Sequence, residues 1–151
     1  MPENDGKVGD TWMTVLQDGG DDPELDIIFI HGLQGHPEST WTYTKTTGMP
    51  WNKKTKTVFW PKALLAQHES CKSARIMTYG YNSHAYGFKT KVDFCNIQGL
   101  AESLRNAVAA LRTKCQHRPL MFIVHSLGGL LVKEVRDDLK RKIATEMRAL
   151  Y

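Results

Sequence analysis

What this chain of 151 residues lacks narrows it faster than what it holds. Only three cysteines occur, Cys71, Cys95 and Cys115, an odd number with no C-x-x-C pair. Such spacing argues against a disulfide framework and a cysteine metal cluster, and fits reduced thiols in a cytosol-like compartment. No apolar run approaches the roughly 18 residues that span a bilayer. The first ten residues are polar and acidic, unlike a secretory signal, so an intracellular, cytoplasmic protein without a transmembrane segment is expected. Gly32 and Gly35 provide no P-loop lysine-serine pair and do not keep the dinucleotide spacing, so no nucleotide site and no cofactor is expected. Histidine is the scarcity with most chemical weight: six occur, and none follows His125.

Charge is present but unevenly spread. The net +4 conceals −7 over residues 1–30 and +11 over residues 31–151. Lys53, Lys54 and Lys56, and again Lys140, Arg141 and Lys142, are placed to attract phosphates of nucleic acid or anionic lipid. Solvated surface charge is the plainer reading, because acids are interspersed around the second cluster and no nucleic-acid motif accompanies either. A hydrophobic content of 41% suffices for one core. Residues 1–10 read as a disordered leader and 11–151 as a single domain.

Thr11–Leu16 reads as an edge strand, stopped by Asp18-Gly19-Gly20-Asp21-Asp22-Pro23. Asp26–Ile30 is β-branched without alternation, which fits a parallel strand covered on both faces. It runs into His31-Gly32-Leu33-Gln34-Gly35, a loop able to aim backbone N–H groups at a developing oxyanion. His31 itself is read as a hydrogen-bonded structural residue. Residues 37–52 read as a surface excursion anchored by Trp41, Tyr43 and Trp51. A short helix follows over Trp60–Gln67, then a strand over Ala74–Tyr79 and a loop over Gly80–Lys91. Ile97, Leu100, Leu104, Val108, Leu111 and Cys115 keep helical spacing and predict a helix over 94–115. Leu120–Val124 is a further strand, and Leu130, Leu131, Val135, Leu139, Ile143, Met147 and Leu150 predict a long helix after it. Alternating strands and helices give an α/β fold, a mostly parallel sheet with flanking helices.

Between the last strand and the last helix stands Val124-His125-Ser126-Leu127-Gly128-Gly129. It has the form of a nucleophile elbow, in which a strand delivers a serine onto a tight turn and the next N–H faces a substrate oxygen. Of the pattern G-x-S-x-G the first glycine is valine here. A branched side chain at that place either strains the turn or is met by a small residue opposite.

Together these motifs resemble the α/β-hydrolase superfamily. More narrowly they are similar to lipase-like serine esterase domains of the serine active site-containing protein type, which also stand at the front of fungal NACHT and repeat proteins. The residues that carry the likeness are Asp26–Pro37, Thr40-Trp41-Thr42, Phe59-Trp60-Pro61, Arg75–Asn82 and His125–Leu130. The resemblance implies Ser126 as nucleophile and the N–H groups of Leu33 and Leu127 as the oxyanion pair. His31, Gly32, His125, Gly128 and Gly129 support the loop and elbow. It implies an acyl-ester or lipid substrate, and, as an alternative location, the periphery of a mitochondrial or endoplasmic reticulum membrane.

It also implies an acid and a histidine after the serine. Among the 25 residues that follow Ser126 there is no histidine, and Glu134, Asp137, Asp138 and Glu146 fall on the helix leading away from it. The domain is therefore expected to stop after the nucleophile helix, with turnover lowered by roughly 10⁴ to 10⁶ relative to a full triad. A catalytically silent module for protein interaction or signalling is the alternative. A sheet left open at one edge is expected to attract a protein partner or a second copy.

Overall fold

The computed structural model describes residues 7–49, 51–83 and 94–137. A four-stranded sheet organises them. It contains β1 (Trp12–Gln17), β2 (Leu25–Ile30), β5 (Ala74–Gly80) and β6 (Leu120–Val124), in the order β1-β5-β2-β6. A separate hairpin pairs β3 (Thr42–Thr47) with β4 (Lys54–Phe59). The helix α1 spans Phe94–Leu111, and a second, α2, covers residues 127–137. β2 is parallel to both β5 and β6, whereas β1 runs antiparallel along the edge of β5 with a bulge near Gln17. The fold is thus α/β with a mostly parallel sheet and flanking helices.

β2 is the centre. From Asp26 to Ile30 every residue is buried, since strands lie on both sides and covering layers on both faces. Because successive side chains alternate, Ile28 and Ile30 enter one core and Ile27 and Phe29 the other. The first core is closed by Leu104 and Ala107 of α1 and by Leu131 and Val135 of α2, so both helices cover the same face. Across the sheet, Phe29 meets Trp41 and Trp60 edge-on, with ring centroids 5.1 Å apart in each case. Each fully buried Phe, Leu or Ile contributes roughly 1.5–3 kcal/mol.

Three local features depart from the expectation. The stretch read as an excursion forms β3, whose threonines at alternate positions hold a ladder with β4, including a Thr46–Thr55 hydroxyl contact of 3.2 Å. Of its three aromatics only Trp41 is buried; Tyr43 and Trp51 are exposed. The short helix after Trp60 is one wide π-type turn over Pro61–Leu65. α1 ends at Leu111 rather than near 115, since the chain turns there and brings Arg112 back beneath the sheet, where its guanidinium donates to the carbonyl oxygens of Gln116 and Arg118. Of the first ten residues only 7–10 are described; Val8 is buried and the Asp10 carboxylate lies 3.0 Å from His36 Nε2. Residues 1–6, much of the loop after Ser83, and the positions beyond 137 that carry Leu139, Lys140, Arg141, Lys142, Ile143, Met147 and Leu150 lie outside the described residues.

At the N-terminal ends of the parallel strands sits a buried carboxylate. Asp26 takes two bonds of 2.9 Å from Arg75 on β5, one from Arg112 and one of 3.3 Å from Arg118 just before β6. Burial alone would raise the Asp26 pKa, but the bonds and charges of Arg75, Arg118 and Arg112 outweigh it and hold the carboxyl below its usual range. Such a charge is tolerable inside a fold only when paired in this way.

Candidate functional site

At the opposite, C-terminal end of the sheet, β2 and β6 finish side by side. The backbone bond from His125 N–H to the Ile30 carbonyl continues their pairing one step past the strands. β6 then breaks sharply. Ser126 takes a φ of +51°, a left-handed conformation that is costly for a residue with a side chain and common at strained functional turns. α2 begins at the next residue, with the N–H groups of Gly128 and Gly129 donating to the carbonyls of His125 and Ser126, each at 3.0 Å.

Close packing makes two glycines necessary. A Cβ on Gly128 would lie 2.6 Å from the Ile30 carbonyl oxygen and 2.8 Å from that of His31, so α2 rests directly on the β2 backbone. A Cβ on Gly32 would lie 2.8 Å from Ser126 Cβ and 3.0 Å from His125 Nδ1, so the loop after β2 passes in contact with the serine. Val124, in the place of the usual first glycine, is tolerated for two reasons. Among the described residues it stands on the outer strand of the sheet and is 40% exposed. Its Cγ2 also faces Gly129, where an added Cβ would still be 3.6 Å away, so the small residue opposite is Gly129.

The loop is held rigidly. His31 is fully buried and stacked at 4.3 Å on Tyr81, with Nδ1 2.9 Å from the Gly32 carbonyl oxygen and Nε2 accepting from the Tyr81 N–H at 3.4 Å. A carbonyl can only accept, so these contacts select the neutral ring with its proton on Nδ1. The Tyr81 hydroxyl donates to the His31 carbonyl at 2.9 Å, Ser83 donates to Gly35 O, and Thr78 donates to Pro37 O. Gln34, also at positive φ, lets the chain close so that Gly35 N–H reaches Gly32 O at 3.0 Å.

The N–H groups of Leu33 and Leu127 each stand one residue beyond the Gly32–Ser126 contact, one in the loop after β2 and one at the start of α2. Neither has a hydrogen-bond partner among the described residues. The Ser126 side chain is exposed, and among the described residues no hydrogen bond involves its hydroxyl. Hydrogen bonds of His31, His36 and His68 meet groups other than the serine hydroxyl. His36 bonds Asp10 and caps the turn at Glu38 and Ser39, and His68 accepts from Ser70 N–H. The His125 ring lies over Gly32, and His84 falls outside the described residues. Sequence reading missed the Asp26 cluster, for which the available signal was an acid inside an otherwise apolar strand. Among the described residues no group of His, Cys, Asp and Glu is arranged to hold a metal, and no helix is long and apolar enough to cross a membrane.

A strand, a serine at positive φ, a helix laid on the neighbouring strand and a glycine loop against the serine are the architecture of serine-active-site proteins of the α/β type. The chain is similar to Protein SERAC1 of Danio rerio, with 30% identity over 125 residues, 76% of this chain and 18% of that protein. Protein SERAC1 of Mus musculus is 29% identical over 135 residues, covering 84% of this chain and 20% of the relative. That of Homo sapiens is 28% identical over 127 residues, covering 79% and 19%. The chain therefore spans about a fifth of the length of these curated relatives. The likeness supports kinship with a SERAC1-like, serine-hydrolase-like family. No family model matches the chain, and no solved structure matches it.

Proposed function

We propose that the chain carries the nucleophile half of a serine ester hydrolase acting on an acyl ester or lipid. The observation that carries this reading is Ser126 at positive φ on the strand-to-helix turn, exposed, with two unpartnered amides beside it. Ser126 Oγ attacks the acyl carbonyl carbon, and the negative oxygen so formed is received by the N–H groups of Leu33 and Leu127. The ester C–O bond then breaks, and the alcohol leaves with the proton that the serine gave up. Water cleaves the acyl-serine, releases the carboxylic acid and restores the hydroxyl. His31 and Tyr81 fix the loop, Gly32 admits it to the serine, and Gly128 and Gly129 admit the helix.

One observation favours a second reading, a catalytically silent module: among the described residues no imidazole meets the serine hydroxyl. A fluorophosphonate probe separates the two, since Oγ attack on phosphorus expels fluoride only when the serine is activated. Labelling that disappears in Ser126→Ala supports the hydrolase. A folded chain that stays unlabelled supports the silent module and overturns the first reading.

A further inference from the structure

The β3–β4 hairpin is built in a way that folding alone does not favour. From Ser39 to His68 the sequence contains no acid and five lysines, four of them within the hairpin and its turn. The register sets Lys45 directly opposite Lys56 and Thr47 opposite Lys54. Because side chains alternate across a strand, Lys45, Lys54 and Lys56 share one face with Tyr43, while Thr44, Thr46, Thr55 and Thr57 occupy the other. Like charges placed directly across a strand pair repel, so this face is destabilising as it stands. None of Lys45, Lys53, Lys54 or Lys56 forms an ion pair among the described residues.

The turn adds a second observation. Its Asn52 N–H donates to Met49 O at 2.9 Å, and it presents Met49 at 60% and Trp51 at 82% exposure. An amphipathic indole beside a flexible apolar side chain at the end of a ribbon about 20 Å long suits the headgroup level of a bilayer, where the ring is half apolar and half wet.

We infer that this hairpin docks the protein on an anionic phospholipid surface, with Met49 and Trp51 entering the headgroup boundary and Lys45, Lys53, Lys54 and Lys56 meeting lipid phosphates. The bilayer supplies both missing partners at once: negative charge for the crowded lysine face and an apolar boundary for the tip. The inference stands apart from the role of Ser126.

The test is co-sedimentation of the full chain with phosphatidylcholine vesicles, with and without phosphatidylglycerol. Partition is expected only with the anionic lipid, and to fall as salt rises. Each Lys→Gln change at positions 45, 53, 54 and 56 weakens it about fivefold, and the quadruple variant by more than about a hundredfold. Trp51→Ser, which alters no folded contact of the core, weakens it about tenfold. Failure of the folded chain to partition, or partition unchanged in both the quadruple variant and Trp51→Ser, overturns the inference. So does tight binding of short duplex DNA with the same lysine dependence and no Trp51 dependence, which marks a general polyanion surface.

Discussion

Replacing Asp26 by Asn keeps size and shape and removes one charge, so it isolates what the carboxylate does. Asp26 is fully buried and receives four N–H bonds from Arg75, Arg112 and Arg118. Without it three guanidinium groups face one another with no anion between them, a loss of about 3–5 kcal/mol for breaking a buried pair. For a chain of this size each kcal/mol lowers Tm by about 2–4 °C, so the variant should melt about 6–20 °C lower. Against a total stability of about 5–15 kcal/mol this is a large share. The pH dependence carries the sign. The folded pKa of Asp26 is depressed, so its contribution is complete above the unfolded value of about 3.9 and is lost as pH falls through the lower folded value. Urea unfolding followed by tryptophan fluorescence should give a gap between wild type and Asp26→Asn that is constant near neutrality and closes in acid. A gap below about 1 kcal/mol at neutral pH, or one that persists unchanged in strong acid, refutes the account.

Two further substitutions probe the turn and the hairpin. Gly128→Ala drives a methyl against the Ile30 and His31 carbonyls and should cost about 1–3 kcal/mol, while Gly129→Ala, with 3.6 Å to its neighbour, should be nearly neutral in the same thermal melts. Equal effects at the two positions would contradict direct seating of α2 on β2. Lys45→Gln relieves the repulsion by Lys56 and should stabilise the chain by about 0.2–1 kcal/mol, more at low salt than at high. A destabilised or salt-insensitive variant would show that the two charges do not interact.

Much of the sheet was legible because burial on both faces leaves a plain mark. Ile27 to Ile30 admits no polar residue, and α1 repeats apolar residues at three and four. The serine turn was legible from its neighbours, a β-rich run before it and a helical pattern after it. The hairpin was not, because its threonines and lysines face solvent and their order is that of a ladder rather than of a core; the β-branched alternation of Thr42, Thr44 and Thr46 was the usable trace. The early end of α1 was equally hidden, since it depends on Arg112 reaching a carboxylate 86 positions away in sequence. Val124 looked like a defect in the motif. Only the position of Gly129 opposite its side chain, and the sheet order that makes β6 the outer strand among the described residues, show why it is accepted.

The charge cluster and the serine turn occupy opposite ends of the same strands, and the distance between them is counted in residues. Asp26 is level with Leu120, and four residues on, Ile30 is level with Val124. With arginines from β5 and from the approach to β6 fixed on one carboxylate, the strands share a common zero, and equal counts bring the His31 loop and the Ser126 turn out at one height. A slip by a single residue would displace the serine by about 3.3 Å and turn its neighbours to the wrong face. Asp26 thus acts as a datum: an alignment needed at one pole of the molecule is measured off from the other.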